Sequence, residues 1–250
     1  MVKARLACCL RAFLLSSEQL EVPAVTDSGA SRIFVFDAYG TLFDVHSAAA
    51  RYAGEIGPVW ERLSEIWRTK QLEYTWIYAA TGRRATFWEL TERGLDYAIA
   101  ATGVVVEDGL RARLLDANRE LSAYPEVLTV LRALKDRGDR LAILSNGDPD
   151  LLERIIDSAG LDGLFEHVLS VAAADTFKPH AAVYRLAVDA FDMPPDRMTF
   201  CSSNRWDVAG ASAFGFSAVW INRLGRPDEY PDMPPVRVLT SLEGLSMPMS

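Results

Sequence analysis

Residues 33–41 read Ile33-Phe34-Val35-Phe36-Asp37-Ala38-Tyr39-Gly40-Thr41: four apolar residues, branched or aromatic, that stop at an aspartate followed by a glycine and a hydroxyl. A run of this kind predicts a strand buried on both faces, as in a parallel sheet, with Asp37 at its carboxyl end. Similar runs recur at Leu141–Leu144, Val168–Val171, Met198–Cys201 and Ala218–Ile221, and each predicts a further buried strand. Helical patterns with readable ends lie between them. Asp148 and Pro149 open one that Gly160 closes, Pro179 opens another near His180, and a third from Asp207 to Phe214 ends before Gly215. Strand and helix in alternation predict an α/β fold, a doubly wound parallel sheet with a Rossmann-like core.

From Ser47 to Ser122 the alternation lapses. Only helical periodicity is left, strongest over Pro58–Ala80, Thr86–Thr102 and Glu107–Leu121. This segment follows the carboxyl end of the first strand, where open α/β sheets bind ligands, so it is expected as an inserted helical cap over the site. The expected division is therefore a disordered tail over residues 1–30, a discontinuous core of residues 31–46 and 123–243, and a cap of residues 47–122.

Composition bounds the partners. The chain has 250 residues, 50% hydrophobic and 24% charged, which suffices for a sizeable core and is far from a disordered composition. A net charge of −8 gives no positive field for nucleic acid or an anionic membrane surface, so neither is expected as a partner. Any anionic ligand must meet a local basic site. Cys8, Cys9 and Cys201 are too few for a disulfide framework, and His46, His167 and His180 form no zinc-binding spacing, which suits a reducing cytoplasm. Lys3 and Arg5 ahead of the apolar run Leu6–Leu15 faintly resemble an export signal, yet Arg11 breaks that run and a polar stretch with Pro23 and Gly29 follows. Nowhere do about 18 apolar residues run uninterrupted, so no spanning helix is expected.

Taken alone, Asp37 is either a nucleophile at the sheet edge or the cap of a turn. Three further strand-end motifs weigh toward chemistry: Leu144-Ser145-Asn146-Gly147, Phe177-Lys178-Pro179, and Cys201-Ser202-Ser203-Asn204-Arg205-Trp206-Asp207. In this order the motifs resemble the haloacid dehalogenase superfamily, over residues 32 to about 242. Asp37 to Val45, Trp67-Arg68-Thr69-Lys70-Gln71-Leu72-Glu73-Tyr74, and Ser202-Ser203-Asn204 with Trp206-Asp207 are similar to its L-2-haloacid dehalogenases in particular. That resemblance implies Asp37 as nucleophile, Thr41 and Ser145 as the groups holding it, and Arg68 as the site of the departing halide. Lys178, Tyr184, Ser202, Asn204 and Asp207 match the remaining polar shell. Asn146 and the backbone at Ala38 and Tyr39, beside Ser145, are implied to hold the substrate carboxylate, with Tyr39, Leu72, Phe87 and Trp206 lining the apolar pocket. A homodimer and no cofactor are implied as well.

The residue types argue in the same direction. A phosphatase on this scaffold wants a second acid two residues after the nucleophile, to protonate an alkoxide leaving group, and that position is Tyr39. A halide is too weak a base to need a proton; a cation and hydrogen-bond donors suffice, and Arg68 suits that task. Ser203 stands where a magnesium-binding acid would be, so no metal is expected. Asp37 would then displace halide from C2 of a short (S)-2-haloalkanoic acid to give an aspartyl ester, and water activated by Asp207 would release the (R)-2-hydroxy acid. A cation at Lys178 keeps the buried nucleophile charged.

Other roles stay open at this stage. Arg68 has Glu65 and Glu73 nearby in an amphipathic helix and fits an exposed ion pair, while Phe87 and Trp206 fit an ordinary core. Lys70, Glu73 and Lys135 are expected at the surface, His46 and His180 in structural roles, and Cys201 as a small inert hydrophobe. Thr69, where relatives commonly carry a longer amide, and Arg205, an added charge beside Asn204, are expected to alter substrate size or preference. A magnesium-dependent phosphatase and a catalytically idle binding scaffold remain the alternative functions.

Overall fold

The computed structural model describes residues 31–105, 107 and 109–246; the expected N-terminal tail lies outside them. At its centre is β1 (Ile33–Phe36), all four residues buried, paired in parallel with β2 (Arg140–Ser145) on one side and β4 (Met198–Ser202) on the other. The sheet continues through β3 (His167–Ser170) beside β2, and through β5 (Ser217–Ile221) and β6 (Arg237–Leu239) beyond β4. The order β3-β2-β1-β4-β5-β6 reverses direction at β1, and such a switch point opens a crevice at the carboxyl ends of the strands. Register then decides which residues meet there. Phe36 lies opposite Ile143 and Cys201, so Asp37 emerges beside Ser202, with Ser145 one residue beyond its level on β2.

Two expectations need correction. The Val168 strand is not buried: β3 is an edge strand, and Val168 is 44% exposed. The three-residue β6 was not anticipated, because it is half-exposed and short and follows a stretch broken by Pro231, Pro234 and Pro235.

After β1 the chain forms α1 (Ser47–Arg51), α2 (Ala53–Ile56), α3 (Trp60–Thr81), α4 (Phe87–Thr102) and α5 (Leu110–Asn118) before rejoining the core at α6 (Val127–Asp136). Helices α7 (Pro149–Ser158), α8 (Ala181–Phe191) and α9 (Arg205–Phe214) connect the remaining strands. The described residues form one compact unit in which the inserted helices pack on the rest. Among these residues no helix is long and apolar enough to cross a membrane.

Helices α3 and α4 lie close together because Gly94 has no side chain: a Cβ there would stand 3.1 Å from the Trp67 carbonyl oxygen and 3.3 Å from the Gln71 nitrogen. The amino end of α4 is closed twice. Thr86 and Glu89 form a capping box, and the Asp148 carboxylate accepts from the Phe87 and Trp88 N–H groups at 3.1 and 2.8 Å. Asp148 was expected to cap α7, which it precedes; its side chain makes no bond to that helix. Burial raises the Asp148 carboxyl above its ordinary value, and the two N–H groups oppose the rise.

Replacing Asp148 by Ala strips α4 of this second cap and is expected to cost about 1–2 kcal/mol, read by urea unfolding. A loss indistinguishable from zero would show that the capping box alone suffices.

Candidate active site

Asp37 leaves the end of β1 with its N–H bonded to the Cys201 carbonyl at 2.9 Å, which fixes the carboxylate in the crevice. Its two oxygens are bonded unequally. Oδ2 accepts from Thr41 Oγ1 at 2.9 Å, Asn204 Nδ2 at 2.8 Å and Ser202 Oγ at 3.3 Å. Among the described residues Oδ1 accepts only from Lys178 Nζ, at 3.1 Å. Thr41 is placed by the tight turn after β1, in which the Ala38 carbonyl accepts from Thr41, Leu42 and Phe43 and Gly40 adopts φ 92°, a left-handed value that suits glycine. Ser202 and Asn204 come from the end of β4.

Lys178 is fully buried and also donates to Asp207 Oδ2 at 2.9 Å; the other Asp207 oxygen accepts from Tyr184 Oη at 2.8 Å. Burial works against the ammonium charge, but Asp207 and Asp37 outweigh it and hold Lys178 above its usual value. Burial pushes Asp207 up to about 6, with Lys178 pulling it down and Asp37 pushing it further up. Burial and then Asp207 raise the Tyr184 phenol well above its ordinary value, so it remains a donor. Tyr184 fits because Gly210 faces it: a Cβ at that position would stand 2.5 Å from Tyr184 Oη.

Arg68 projects from α3 toward this group. Its guanidinium donates to the Tyr39 carbonyl at 3.0 Å and to Gln71 Oε1 at 2.8 Å, and not to Glu65 or Glu73; Glu73 pairs with Lys70. Burial lowers the Arg68 guanidinium from its usual value, and Asp37 opposes that. The Tyr39 ring packs 5.1 Å from Phe87, fully buried at the start of α4, and against Gly147, where a Cβ would stand 2.8 Å from the ring. Trp206 is half-buried, its ring edge-on to Trp76 at 5.5 Å, and Leu72 is half-buried one turn beyond Arg68. The Asn146 side-chain oxygen accepts from the Lys178 N–H at 3.0 Å. The N–H groups of Ala38 and Tyr39, both buried, have no hydrogen-bond partner among the described residues.

Three sequence expectations are revised by these positions. Ser145 does not hold Asp37: its Oγ turns back to accept from the Gly147 N–H at 3.1 Å, closing the turn after β2. Arg205 directs its charge elsewhere, since it is buried and bonded to Asp228 at 2.6 Å and to the Met233 carbonyl at 3.0 Å. Thr69 is exposed and lies outside the small cavity that Tyr39, Val45, Ser64, Trp67, Arg68, Gln71 and Asn118 line. His46 bonds Ser64 at 2.8 Å, the His180 side chain caps α8, and Cys201 is buried with a thiol raised by that burial.

Two contributors had gone unnoticed. Gln71 follows Arg68 by three residues on one helix face, a spacing that pairs side chains and was the available signal. Arg223 donates to the Thr41 carbonyl at 2.9 Å while stacked 3.9 Å over Tyr124, a link that no local spacing reveals.

A buried aspartate at the switch point of a parallel sheet, with an inserted helical segment after the first strand, is an arrangement suited to covalent catalysis by a carboxylate. Residues 32–215 match the haloacid dehalogenase-like hydrolases, and the chain belongs to that family. The (S)-2-haloacid dehalogenase 1 of Pseudomonas sp. (strain CBS-3) is 44% identical over 214 residues, 86% of this chain and 94% of that one. A dehalogenase crystal structure matches with a TM-score of 0.84 at 42% identity, covering 88% of this chain and 97% of the other. The L-2-haloacid dehalogenase from Xanthobacter autotrophicus with chloropropionic acid covalently bound matches with a TM-score of 0.79 at 34% identity, covering 87% and 97%. Within the family, the chain stands among the 2-haloacid dehalogenases, as its motifs had implied.

Lys178→Met tests the charge network. Without the ammonium, Asp207, which burial already raises to about 6, loses the group that pulls it down, so the folded state binds a proton that the same carboxylate of the unfolded chain, near 4, does not. Folded values above unfolded ones mean that stability rises as pH falls from neutral toward about 4. The variant should be about 3–5 kcal/mol less stable than wild type near pH 7.5, a gap that narrows by pH 5. Urea unfolding at both pH values measures it, and a gap independent of pH would contradict the account.

Proposed function

We propose that this chain hydrolyses short-chain (S)-2-haloalkanoic acids to (R)-2-hydroxyalkanoic acids and halide, through an ester on Asp37 and without a metal ion. The unequal bonding of the two Asp37 oxygens carries this reading. Oδ2, with its three donors, is the quieter oxygen; Oδ1, held by Lys178 alone, is the nucleophile. Attack by Oδ1 on C2 opposite the halogen forms the C–O bond, expels halide with the electron pair of the C–X bond, and inverts the carbon. Arg68 receives the halide, its described partners being neutral carbonyls that leave the positive charge unmatched. The N–H groups of Ala38 and Tyr39 and the amide NH2 of Asn146, beside Ser145, take the substrate carboxylate, while Tyr39, Leu72, Phe87 and Trp206 surround the alkyl group.

The same asymmetry serves the second step. Water adds to the carboxyl carbon of Asp37, its proton passing to Asp207, and the charge that develops on Oδ2 meets Thr41, Ser202 and Asn204 as a ready oxyanion hole. Collapse returns Asp37 as the neutral acid, which gives its proton to solvent to restore the carboxylate, and frees the hydroxy acid, whose departing oxygen is protonated from Lys178. Asp207 then returns a proton to Lys178 across their 2.9 Å bond. Metal has no part in these steps, and Ser203 supplies only a hydroxyl where a magnesium site wants a carboxylate. The chain is further proposed to work in the cytoplasm as a homodimer, for which the exposed Trp76 and Ile77 of α3 and Tyr97 of α4 supply apolar surface.

Two outcomes check the chemistry. A single turnover of 2-chloropropionate in H₂¹⁸O, with enzyme in excess, leaves the product unlabelled and the Asp37 peptide heavier; label in the first product instead would make Asp37 a general base. Halide release survives EDTA and gains nothing from Mg²⁺, whereas dependence on the metal would transfer the site to a different chemistry. Sedimentation reporting a monomer at micromolar concentration would remove the dimer.

A further inference from the structure

We infer that Gln71, braced by Thr91, is a positioning residue for halide departure, acting through Arg68; this rests on the halide role proposed for Arg68 above. Gln71 is 4% exposed and Thr91 1%, although both are polar. Arg68 can only donate, so the Gln71 amide must present its oxygen to the guanidinium and its nitrogen to the other side. There Gln71 Nε2 donates to Thr91 Oγ1, and that hydroxyl has its own proton committed to the Phe87 carbonyl at 2.8 Å. The chain of bonds runs one way only: Arg68 to Gln71, Gln71 to Thr91, Thr91 to the first turn of α4. Reversing the amide would set donor against donor at Arg68, a heavy cost in a buried site.

This relay ties the guanidinium to the backbone of a second helix, and the pair is locked further by Trp67 Nε1, which donates to the Thr91 carbonyl at 2.8 Å. A long, rotamer-rich arginine side chain is thereby held in one pose before substrate arrives. Charge that appears only as the carbon–halogen bond breaks is stabilised most by a donor that need not reorganise. Gln71 is also a neutral ligand: it fixes the arginine without offsetting the charge that the halide needs. A glutamate at the same position would hold Arg68 equally well and compete with the halide for it.

The experiment is a rapid-quench single turnover with the full-length enzyme, following ester formation and ester hydrolysis separately for 2-chloro- and 2-bromopropionate. Gln71→Met is expected to slow ester formation about tenfold with the chloro substrate, less with the bromo substrate because bromide is the better leaving group, and to leave ester hydrolysis unchanged. Thr91→Val should show the same pattern and Thr91→Ser should restore the wild-type rate. Unchanged ester formation in a folded Gln71→Met variant, or equal slowing of both steps, overturns the inference. Arg68→Met separates the two claims: if it is slow while Gln71→Met is normal, the relay alone fails, and if it too is normal, the halide assignment of Arg68 fails. Should Gln71→Met not fold, Gln71→Glu replaces it, with weakened inhibition by free chloride as the supporting result and unchanged inhibition as the overturning one.

Discussion

A single ammonium group, Lys178 Nζ, sits in the dry interior between two carboxylates, and the site is built around the need to keep it there. Removing three charges from water costs several kcal/mol for each ion, and attraction offsets this only where geometry and further hydrogen bonds are good. The fold meets that condition from four directions. Asp37 comes from β1, Asp207 from α9, Tyr184 from α8, and Asn146 after β2 grips the lysine backbone. Each of these elements is set by the parallel sheet, so packing of the core and charging of the site are one problem.

Four charges compose the centre: Asp37 and Asp207 negative, Lys178 and Arg68 positive. In the proposed reaction negative charge moves from Asp37 to halide, that is, from the side held by Lys178 to the side held by Arg68, and the total does not change. Little solvent has to rearrange when charge shifts between two fixed cations, which is the advantage of a preorganised site over water. Core and inserted helices thus contribute one cation each.

The central strands and the placement of Asp37 were legible because short apolar runs bounded by turns have few other solutions. The polar shell, from Thr41 to Asp207, could be assembled as candidates only through the resemblance of its motifs, since nothing local shows that Lys178 lies between two acids separated by 170 residues of sequence. Ser145 and Arg205 show where such reasoning stops: the motif places each beside the site, but a backbone N–H at Gly147 engages the first and the loop holding Asp228 and Met233 engages the second. Gln71 failed in the other direction. A glutamine on an amphipathic helix suggests solvent, and only the close approach of α4 at Gly94 makes it interior.

The acceptor that Asp148 lends to α4 has a consequence for inheritance. A helix whose end is finished by a residue 61 positions away is not a self-contained module. Were the inserted segment exchanged for that of a relative, as natural recombination or a chimera would do, its helix would arrive with an open end unless the recipient core offered a matching carboxylate. The seam between core and insert is therefore written partly on the core side, and a graft drawn at residues 47 and 122 would leave half of that seam behind.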